Sequence, residues 1–386
     1  MSDVLDLIIL GGGCAGLAVA RELSLRRHRL QVLVVETRGA YSDDRTWCFW
    51  TPGPEGLRPA SRAQWAQWRW SCGESSITHQ PRRWRYHMVS SADYYADALA
   101  AIQHSDGVRL MLGTGAGAVS VEHGLCHVET TAGATRSRFV IDTRPPAPES
   151  IRTAPVAQLF SGVEVEVDRD VFDPGVATLM GDMRAGEGRL GFDYILPFSA
   201  RHALIERTVF TTAAENPALL DGACLARVEQ LCGPGARIIR PERGWLPMGL
   251  PCAPRASGPV IRAGLPAGSL RPSSGYAFKR IQRWAAACAD SLVSTGAPCA
   301  EFTDPVALQW MDRVFLRAMT QGFAHAPEDF LRIARALNGD RFARFMSDEA
   351  TWADWARIIF ALPKTRYLAA AASLMLAGSA QRKAPW

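Results

Sequence analysis

The segment Asp6-Leu7-Ile8-Ile9-Leu10-Gly11-Gly12-Gly13-Cys14-Ala15-Gly16-Leu17 decides the fold class of this chain. Its first half is an apolar run typical of a buried parallel strand, and its second half fits the pattern G-x-G-x-x-G. The next residues, Leu17–Arg27, have helical spacing, and Gln31–Val35 predicts a second strand that ends at Glu36. This order of strand, glycine turn, helix, strand and acid predicts a dinucleotide-binding unit over Asp3–Glu36.

The glycines of this motif have separate physical roles. Gly11 allows the tight turn from strand to helix, Gly13 lets the backbone approach a pyrophosphate closely, and Gly16 lets the helix pack on the strand. Cys14 and Ala15 begin the helix, whose free N–H groups and positive dipole end would face the phosphates. The turn is therefore predicted to bind the phosphates of the nucleotide.

Glu36 can accept hydrogen bonds from the ribose hydroxyls, and it argues against NADP because its charge would repel a 2′-phosphate. The motif alone does not separate FAD from NAD. Its position near the start of the chain favours FAD, as in flavoproteins whose FAD domain comes first. The segment Phe139–Arg144, which includes Asp142, resembles the later strand of such folds that returns beside the first. An ordinary core strand with a polar end is the alternative there.

Composition indicates a globular protein with more than one core. The chain has 386 residues, of which 48% are hydrophobic and 21% are charged. Its net charge of +5 comes from 43 basic and 38 acidic residues, without a long run of like charges, which argues against a nucleic-acid binder. Ordinary solvation explains this charge, and contact with an anionic membrane surface is the alternative.

Cysteine usage and hydropathy indicate the compartment. Nine cysteines without a C-x-x-C pair argue against a disulfide framework or a metal site, so we expect no metal and a reducing, cytoplasmic environment. There is no signal-peptide pattern, and no apolar run approaches the ~20 residues that a membrane span needs. Any membrane contact is thus expected to be peripheral, at the inner face of the cell membrane. The tail Trp352–Leu376 could dock on lipid as an amphipathic helix, or it could pack on the body.

The order of predicted elements indicates an α/β fold with a FAD-binding Rossmann-like domain of the glutathione-reductase or hydroxylase type, an antiparallel-sheet substrate domain and a helical C-terminal part. The alternating pattern of His202–Phe210 predicts a half-exposed antiparallel sheet. Residues 45–85 mix Trp with Arg, which favours a core sheet or an apolar ligand wall over a base-stacking surface. The predicted boundaries are 1–44, 86–150 and 256–300 for the FAD-binding domain, 45–85 and 151–255 for the sheet-rich domain, and 301–386 for the helical region.

Several longer segments are more particular than the glycine motif. They are D-R-T-W-C-F-W at Asp44–Trp50, Y-H-M-V-S-S-A-D-Y-Y at Tyr86–Tyr95, V-I-D-T-R at Val140–Arg144, F-D-P-G-V-A-T-L-M at Phe172–Met180, L-P-F-S-A-R-H-A-L-I-E-R-T at Leu196–Thr208, E-R-G-W-L-P-M at Glu242–Met248, A-G-S-L-R-P-S-S-G-Y at Ala267–Tyr276 and M-D-R-V-F-L-R at Met311–Arg317. Together with the glycine motif, in this order and over nearly the whole chain, they resemble the bacterial lycopene β-cyclases, a family of FAD-dependent carotenoid enzymes.

The resemblance assigns a role to one carboxylate. In the family the L-I-E-x-T position carries an essential acid, which falls on Glu206 in this chain. Members commonly have a second acid beside it, whereas this chain has Arg207. Consecutive strand residues face opposite sides of a sheet, so this departure need not disturb the site. Without the resemblance, Glu206 would be interpreted as an exposed strand acid.

The implied reaction converts the ψ-ends of lycopene into β-ionone rings, giving γ-carotene and then β-carotene. A proton is added at C2 and another is lost from C6, through a tertiary carbocation and without net oxidation. The protein can supply a carboxylic acid in an apolar site, an electron-rich group near the cation, and a wall that excludes water. The resemblance implies that reduced FAD is the electron-rich group, with NAD(P)H as a transient reductant.

Further contacts follow from turn chemistry and from the resemblance. Arg271 could pair with a phosphate, and the helix after Tyr276 would direct its positive end at the flavin. The additional residues predicted to bind the cofactor are Arg45, Asp142, Gly264, Gly268, Pro272, Ser274, Gly275 and Tyr276. The predicted tunnel residues are Trp47, Phe49, Trp50, Trp245 and Met248, for each of which ordinary core packing is the alternative.

Two other functions remain open on the sequence alone. A flavin monooxygenase or prenyl reductase acting on an apolar isoprenoid would have similar architecture but would consume one NAD(P)H in each turnover. A non-catalytic carotenoid or flavin carrier would bind the same ligands without activity. The sequence also does not decide whether one or both ends of lycopene are cyclised, which ring type forms, or what the oligomeric state is.

Overall fold

Strand β1, Leu5–Leu10, lies in the middle of an eight-stranded sheet. The structure, a computed structural model, describes residues 4–53, 61–213, 215–251 and 256–381, so Asp3 of the predicted nucleotide segment lies outside it. The other strands are β2 (Val32–Val35), β3 (Thr46–Thr51), β4 (Ala63–Trp65), β5 (Gln67–Cys72), β6 (Ser75–His79), β7 (Arg85–Ser90), β8 (Val108–Met111), β9 (Ala116–Glu122), β10 (Leu125–Thr130), β11 (Gly133–Asp142), β12 (Val156–Glu166), β13 (Val176–Gly186), β14 (Arg189–Ser199), β15 (His202–Thr211), β16 (Arg237–Met248), β17 (Ala256–Ser257) and β18 (Val260–Arg262). The helices are α1 (Cys14–Ser24), α2 (Ser91–Gln103), α3 (Pro148–Ile151), α4 (Asp221–Cys232), α5 (Phe278–Thr295), α6 (Val306–Gln321), α7 (Ala326–Ala336), α8 (Gly339–Met346), α9 (Trp352–Ala361) and α10 (Lys364–Gln381).

The first sheet has the order β17-β18-β11-β1-β2-β8, and β9 and β10 extend from β11. The central pairs are parallel, and Asp142 lies opposite Leu10, so the predicted return of Phe139–Arg144 beside the first strand is confirmed. Helices α1, α2 and α5 pack against one face of this sheet, and residues of β10 pack against its other face. Because both faces are covered, β1 and β2 are apolar without alternation.

The second sheet has the order β16-β12-β15-β14-β13-β5-β6 and is antiparallel except where β13 pairs with β5. The antiparallel prediction for His202–Phe210 is confirmed, because β15 pairs antiparallel with β12 and β14, but the predicted half exposure of this strand is wrong. Its residues are almost all buried, because α4 packs on one face of the sheet and a large cavity lies against the other. The alternating residues of β15 therefore face α4 on one side and the cavity on the other, and neither side faces solvent.

The tryptophan-rich stretch contributes to the core. Strands β3, β7 and β4 form a third sheet, while β5 and β6 join the second. Trp65 donates its indole N–H to the carbonyl of Pro197 at 2.9 Å, and Trp68 donates to Nδ1 of His79 at 2.7 Å. Buried indoles that find partners in this way are structural. They favour the core-sheet interpretation over base stacking.

The helical C-terminal region covers the apolar face of the second sheet. Side chains of α6 to α9, among them Phe330 and Phe342, belong to the same core cluster as the tryptophans. The predicted mixture of Rossmann-like unit, antiparallel sheet and helical region is therefore confirmed as a fold class. Among the described residues, no helix combines the length and the apolarity that crossing a membrane requires.

The division of the chain into three predicted parts stays a proposal. The first sheet takes its strands from residues 5–35, 108–142 and 256–262, which is compatible with a discontinuous FAD-binding part. Strand β7, which the prediction assigns to that part, pairs with β3 and β4.

Candidate active site

A cavity of about 860 Å³ lies between the second sheet, the helical region and the carboxyl end of the first sheet. It begins at Gly13, Cys14 and Ala15, where β1 passes into α1, and it extends to Tyr367 and Leu368 on α10. Most of its wall is aromatic or aliphatic. An elongated apolar cavity joined to a dinucleotide-type turn suits a hydrocarbon substrate beside a nucleotide cofactor.

Four residues form a row across the floor of this cavity, which we call the carboxylate row: Tyr194, Glu206, Gly162 and Glu242. In the pairing of the strands, Glu206 on β15 lies opposite Tyr194 on β14 and opposite Gly162 on β12, and Gly162 lies in turn opposite Glu242 on β16. A Cβ atom at Gly162 would come within 2.4 Å of the Glu206 Cγ. A glycine is required here because the Glu206 side chain occupies the space above it.

Glu206 is a buried carboxyl that faces the cavity. Its exposed fraction is 8%, and among the described residues no group donates a hydrogen bond to it. Burial raises its pKa well above the usual range, since the charged form loses its hydration, and the nearby Glu242 raises the pKa further. Arg240 acts in the opposite direction but does not outweigh them. Both effects favour the protonated form of Glu206, which is the form that a general acid needs.

Glu242 is held very differently. Its Oε1 accepts a hydrogen bond from the Thr46 backbone N–H at 2.8 Å, and its Oε2 accepts from the Thr46 hydroxyl at 2.7 Å and from Arg240 at 3.0 Å. Arg240 also donates to Glu164 at 2.7 Å. These three donors hold the Glu242 side chain in a fixed position. The sequence interpretation missed both Glu242 and Thr46, although both lie within the quoted motifs.

Three phenols lie at the Tyr194 end of this row, and we call them the tyrosine cluster: Tyr86, Tyr194 and Tyr276. The Tyr86 hydroxyl lies 2.7 Å from that of Tyr194 and 2.8 Å from that of Tyr276. Burial raises all three pKa values, so the phenols stay neutral. The Trp50 ring packs 4.4 Å from that of Tyr86, and burial raises the pKa of the neighbouring Cys48 thiol to about 12. This wall therefore offers neutral hydroxyls and ring faces, which attract a cation without forming a bond to it.

Arg207 points to the other face of the sheet. It donates to Asp193 on β14 at 2.8 Å, and Arg227 of α4 donates to the same carboxylate at 2.7 Å. The side chain at position 207 thus lies among the contacts of α4, outside the cavity. The expected separation of Glu206 and Arg207 by strand alternation agrees with this geometry.

The turn after β1 has the space that a pyrophosphate needs. A Cβ at Gly16 would lie 1.9 Å from the Gly11 carbonyl oxygen, so these two residues need glycine for packing. At Gly13 a Cβ would meet no atom within 4 Å, which leaves the backbone open toward the cavity. Glu36 accepts a hydrogen bond from the Gly12 N–H at 2.7 Å and forms an ion pair with Arg38. The Arg38 side chain lines the cavity. This arrangement fits a dinucleotide.

The loop between β18 and α5 forms the facing side. Gly264 and Gly275 adopt φ values of +76° and +75°, which favour glycine, and both line the cavity with Ser274 and Tyr276. Glu301, another residue that the sequence interpretation missed, accepts a hydrogen bond from the Gly264 N–H at 2.6 Å. A loop fixed in this way can present its backbone to a cofactor.

The suggested phosphate role of Arg271 is wrong. The residue is 1% exposed, and its guanidinium lies 3.5 Å from the carboxylates of Asp312 and Asp348. It also donates to the Phe345 carbonyl. Arg271 therefore ties the loop before α5 to the helical region.

The structure brings only part of the predicted site to the cavity wall. Those that line it are Gly13, Cys14, Ala15, Arg45, Gly264, Ser274, Gly275, Tyr276, Trp47, Trp50, Trp245 and Glu206. Those that do not are Gly11, Gly16, Glu36, Asp142, Gly268, Pro272, Phe49 and Met248.

Three of these need correction. Asp142 pairs with Arg144 at 2.7 Å, so its carboxylate is already occupied. Phe49 is 4% exposed and stacks on Phe278 at 5.2 Å, in the core that the first sheet shares with its helices. Met248 is completely buried in the core.

Comparison with known proteins first defines the class. The fold resembles that of a flavoprotein/dehydrogenase from Cytophaga hutchinsonii, with a TM-score of 0.61 and 12% identity over 92% of this chain and 98% of that one. At this identity the likeness establishes the flavoprotein fold alone.

The family follows from sequence. The model of the lycopene cyclase protein family matches residues 6–372, so the chain belongs to the lycopene cyclase family. It is 30% identical over 315 residues to the lycopene beta-cyclase of Paracoccus sp., covering 76% of this chain and 74% of that protein. It is 26% identical over 394 residues to the lycopene beta-cyclase of Pantoea ananas, covering 96% and 98%. The resemblance inferred from the sequence motifs is confirmed, and with it the expectation of an enzyme family.

Proposed function

We propose that this chain is a lycopene β-cyclase that converts the ψ-ends of lycopene into β-ionone rings. The observation that carries the proposal is Glu206, a buried carboxyl that receives no hydrogen bond from the described residues and faces a large apolar cavity. The relatives from Paracoccus and Pantoea carry the name of this activity and support the same assignment. Cyclisation of one end gives γ-carotene, and cyclisation of both gives β-carotene.

The reaction needs one proton to enter and one to leave. Glu206 donates its carboxyl proton to C2 of the ψ-end, the double bonds close the ring, and the positive charge is then neutralised by loss of the proton from C6. The Glu206 carboxylate left by the first step is the acceptor in the last step, so no oxidant or reductant is consumed. The apolar wall excludes water that would trap the cation as an alcohol.

FAD is the proposed cofactor, held at the dinucleotide end of the cavity. Gly13, Cys14 and Ala15 would face its pyrophosphate, and Gly264 and Gly275 would let the backbone approach its ring system. When bound in reduced form, FAD supplies an electron-rich ring that can stabilise the carbocation. NAD(P)H is proposed as the transient reductant.

We further propose peripheral contact with the inner face of the cell membrane. Exposed apolar side chains lie on α9 and α10, and we call them the apolar rim: Trp352, Ile359, Phe360, Leu368 and Met375, with exposed fractions of 50% to 79%. Two of these residues, Ile359 and Leu368, also line the cavity. A rim that is exposed outside and continuous with the cavity inside would let a carotenoid pass from lipid to the site without crossing water.

The decisive experiment is anaerobic incubation of the protein with lycopene, FAD and a reductant. We expect mono- and bicyclic products with the mass of lycopene, and loss of these products in Glu206→Gln with retained flavin binding. Glu229→Gln, on the exposed side of α4, is the matched control. A product that carries oxygen would indicate a monooxygenase, one that differs by hydrogen would indicate a reductase, and binding without product would indicate a carrier.

A further inference from the structure

The carboxylate row contains two glutamates, Glu206 and Glu242, and their hydrogen-bonding environments differ. Glu206 and Glu242 lie on the two strands that flank β12 and share Gly162 as their common neighbour. Both are nearly inaccessible to solvent, at 8% and 4%, and both line the cavity. Because Gly162 has no side chain, β12 places no side chain between them at this position.

The partners of each carboxylate decide where the charge resides. Glu242 accepts from a backbone N–H, a hydroxyl and a guanidinium, whereas no described group donates to Glu206. Two carboxyl groups at one site resist simultaneous ionisation, so the proximity of Glu242 favours the protonated form of Glu206, the group without a donor.

We propose that Glu242 is a positioning residue that acts through Glu206: its fixed charge keeps the proton on Glu206 between turnovers and returns it there after ring closure. This inference rests on the proposed cyclase function. When Glu206 has donated its proton to C2, two carboxylates lie on either side of Gly162, and their repulsion makes Glu206 a better base toward the proton at C6. The ion pair of cation and Glu206 carboxylate therefore has a short life, which limits side reactions.

Other titratable and charged groups around Glu206 do not account for this role. Arg240, on the strand of Glu242, is the positive group that acts on Glu206, and it opposes retention of the proton. The remaining groups that interact electrostatically with Glu206 are the thiol of Cys48 on β3, the phenol of Tyr276 in the loop before α5 and the thiol of Cys224 on α4, and the phenol of Tyr194 on β14 is its cross-strand neighbour. All four are neutral at physiological pH, because burial raises the pKa of each. Glu242 is thus the negative group that acts on Glu206.

The test measures protonation of Glu206 without turnover. In the FAD-loaded protein, infrared difference spectroscopy follows the C=O band of a protonated carboxyl, assigned to Glu206 by its loss in Glu206→Gln. As pH rises, this band disappears, and the midpoint is the pH at which half of it is lost. In Glu242→Gln we expect this midpoint to fall by about one pH unit, and the decline of the cyclisation rate at high pH to move to lower pH as well. Glu164→Gln is the matched control, because Glu164 also binds Arg240 but does not line the cavity.

An unchanged midpoint in folded Glu242→Gln would overturn the inference, as would an equal shift in Glu164→Gln. If Glu242→Gln does not fold, Arg240→Gln gives the opposite test: removal of the positive charge should raise the midpoint, and no rise would count against the inference. Failure of the wild-type protein to cyclise lycopene would reject the proposed function, while the infrared titration would still decide the relationship between the two carboxylates.

Discussion

Arg207 and Asp193 form a cross-strand ion pair on the face of the second sheet that is turned away from the cavity. The carboxylate of Asp193 is 1% exposed and is shared with Arg227 of α4. Position 207 therefore belongs to the attachment of α4 rather than to the chemistry. A basic residue in place of the second acid of the family pattern leaves the cavity unchanged.

Replacement of this arginine should separate stability from activity. In Arg207→Met the buried Asp193 loses one of its two counterions, and we expect the free energy of unfolding to fall by about 1–3 kcal/mol with turnover near the wild-type value. Urea denaturation measures the first and product formation the second. Arg201→Met removes the exposed pair with Asp170 and should cost about 0–1 kcal/mol. A large loss of turnover in correctly folded Arg207→Met would contradict this assignment.

Glu206→Gln should make the protein more stable at neutral pH. The pKa of Glu206 is raised in the folded state, so the folded protein keeps a proton that the unfolded chain releases above about pH 4. The wild type therefore loses stability as pH rises from there to the folded pKa, at about 1.4 kcal/mol for each unit of the difference. The variant lacks this loss, because its amide does not titrate.

Thermal unfolding at several pH values checks this expectation. The melting temperatures of wild type and Glu206→Gln should differ most near neutral pH and converge at about pH 4 and below. A gap that is independent of pH would mean that the proton on Glu206 is not its cause.

Gly162→Ala should displace the acid while it leaves the sheet intact. The new Cβ would lie 2.4 Å from the Glu206 Cγ, so the side chain must move away from the row. We expect at least a tenfold loss of cyclisation, since a small misplacement of a reacting group is costly. Gly186→Ala, on β13 of the same sheet, meets no atom within 4 Å and should retain activity. Equal activities of the two variants would contradict the geometry.

Gly13→Ala tests the nucleotide turn. The backbone there has a φ of −83°, which alanine adopts, and its Cβ would meet no protein atom within 4 Å. The protein without cofactor should therefore keep its melting temperature. FAD affinity should fall by about tenfold or more, because the methyl group would occupy the space of the pyrophosphate. Flavin fluorescence titration measures this, with Gly39→Ala as an unhindered control; unchanged FAD affinity would exclude the turn as the phosphate site.

Substitutions in the apolar rim test membrane contact. The Phe360 and Leu368 side chains are 78% and 67% exposed, so changing both to Ser should barely affect stability. We expect weaker co-sedimentation with anionic liposomes and slower turnover of lycopene held in them. Leu219→Ser, which removes a residue that is 72% exposed and lies between β15 and α4, is the control. If the rim substitutions leave liposome binding unchanged, the apolar rim is not the site of membrane contact.

The nucleotide-binding half of the fold could be predicted because its signals are local. A strand, a glycine turn and a helix follow one another within the first residues, and each has a sequence pattern of its own. Phe49 shows the limit of this method. It stands in a particular motif between the cavity-lining Trp47 and Trp50, yet its own ring packs on Phe278 and His87, which are distant in the sequence.

Glu242 could not be recognised by such reasoning. Its motif was visible, but its importance depends on register: it reaches Glu206 through Gly162, and the three residues lie far apart in the sequence. The same holds for Arg271, whose conspicuous charge before the Pro272 turn suggested a phosphate. Its true partners, Asp312 and Asp348, come from the helical region. Long-range pairing of this kind leaves no local pattern.

The carboxylate row has a consequence for how such a protein can be recombined. Its members come from four strands that span Val156–Met248, and α4, which holds Asp193 through Arg227, lies between the last two of those strands. A crossover within this span would join half of the row to a sheet whose register was set by another parent. Exchange of the whole span would carry the acid, its neighbour and their supporting helix together. In this chain the residues proposed for the chemistry would therefore have to be exchanged together with their sheet rather than as single motifs.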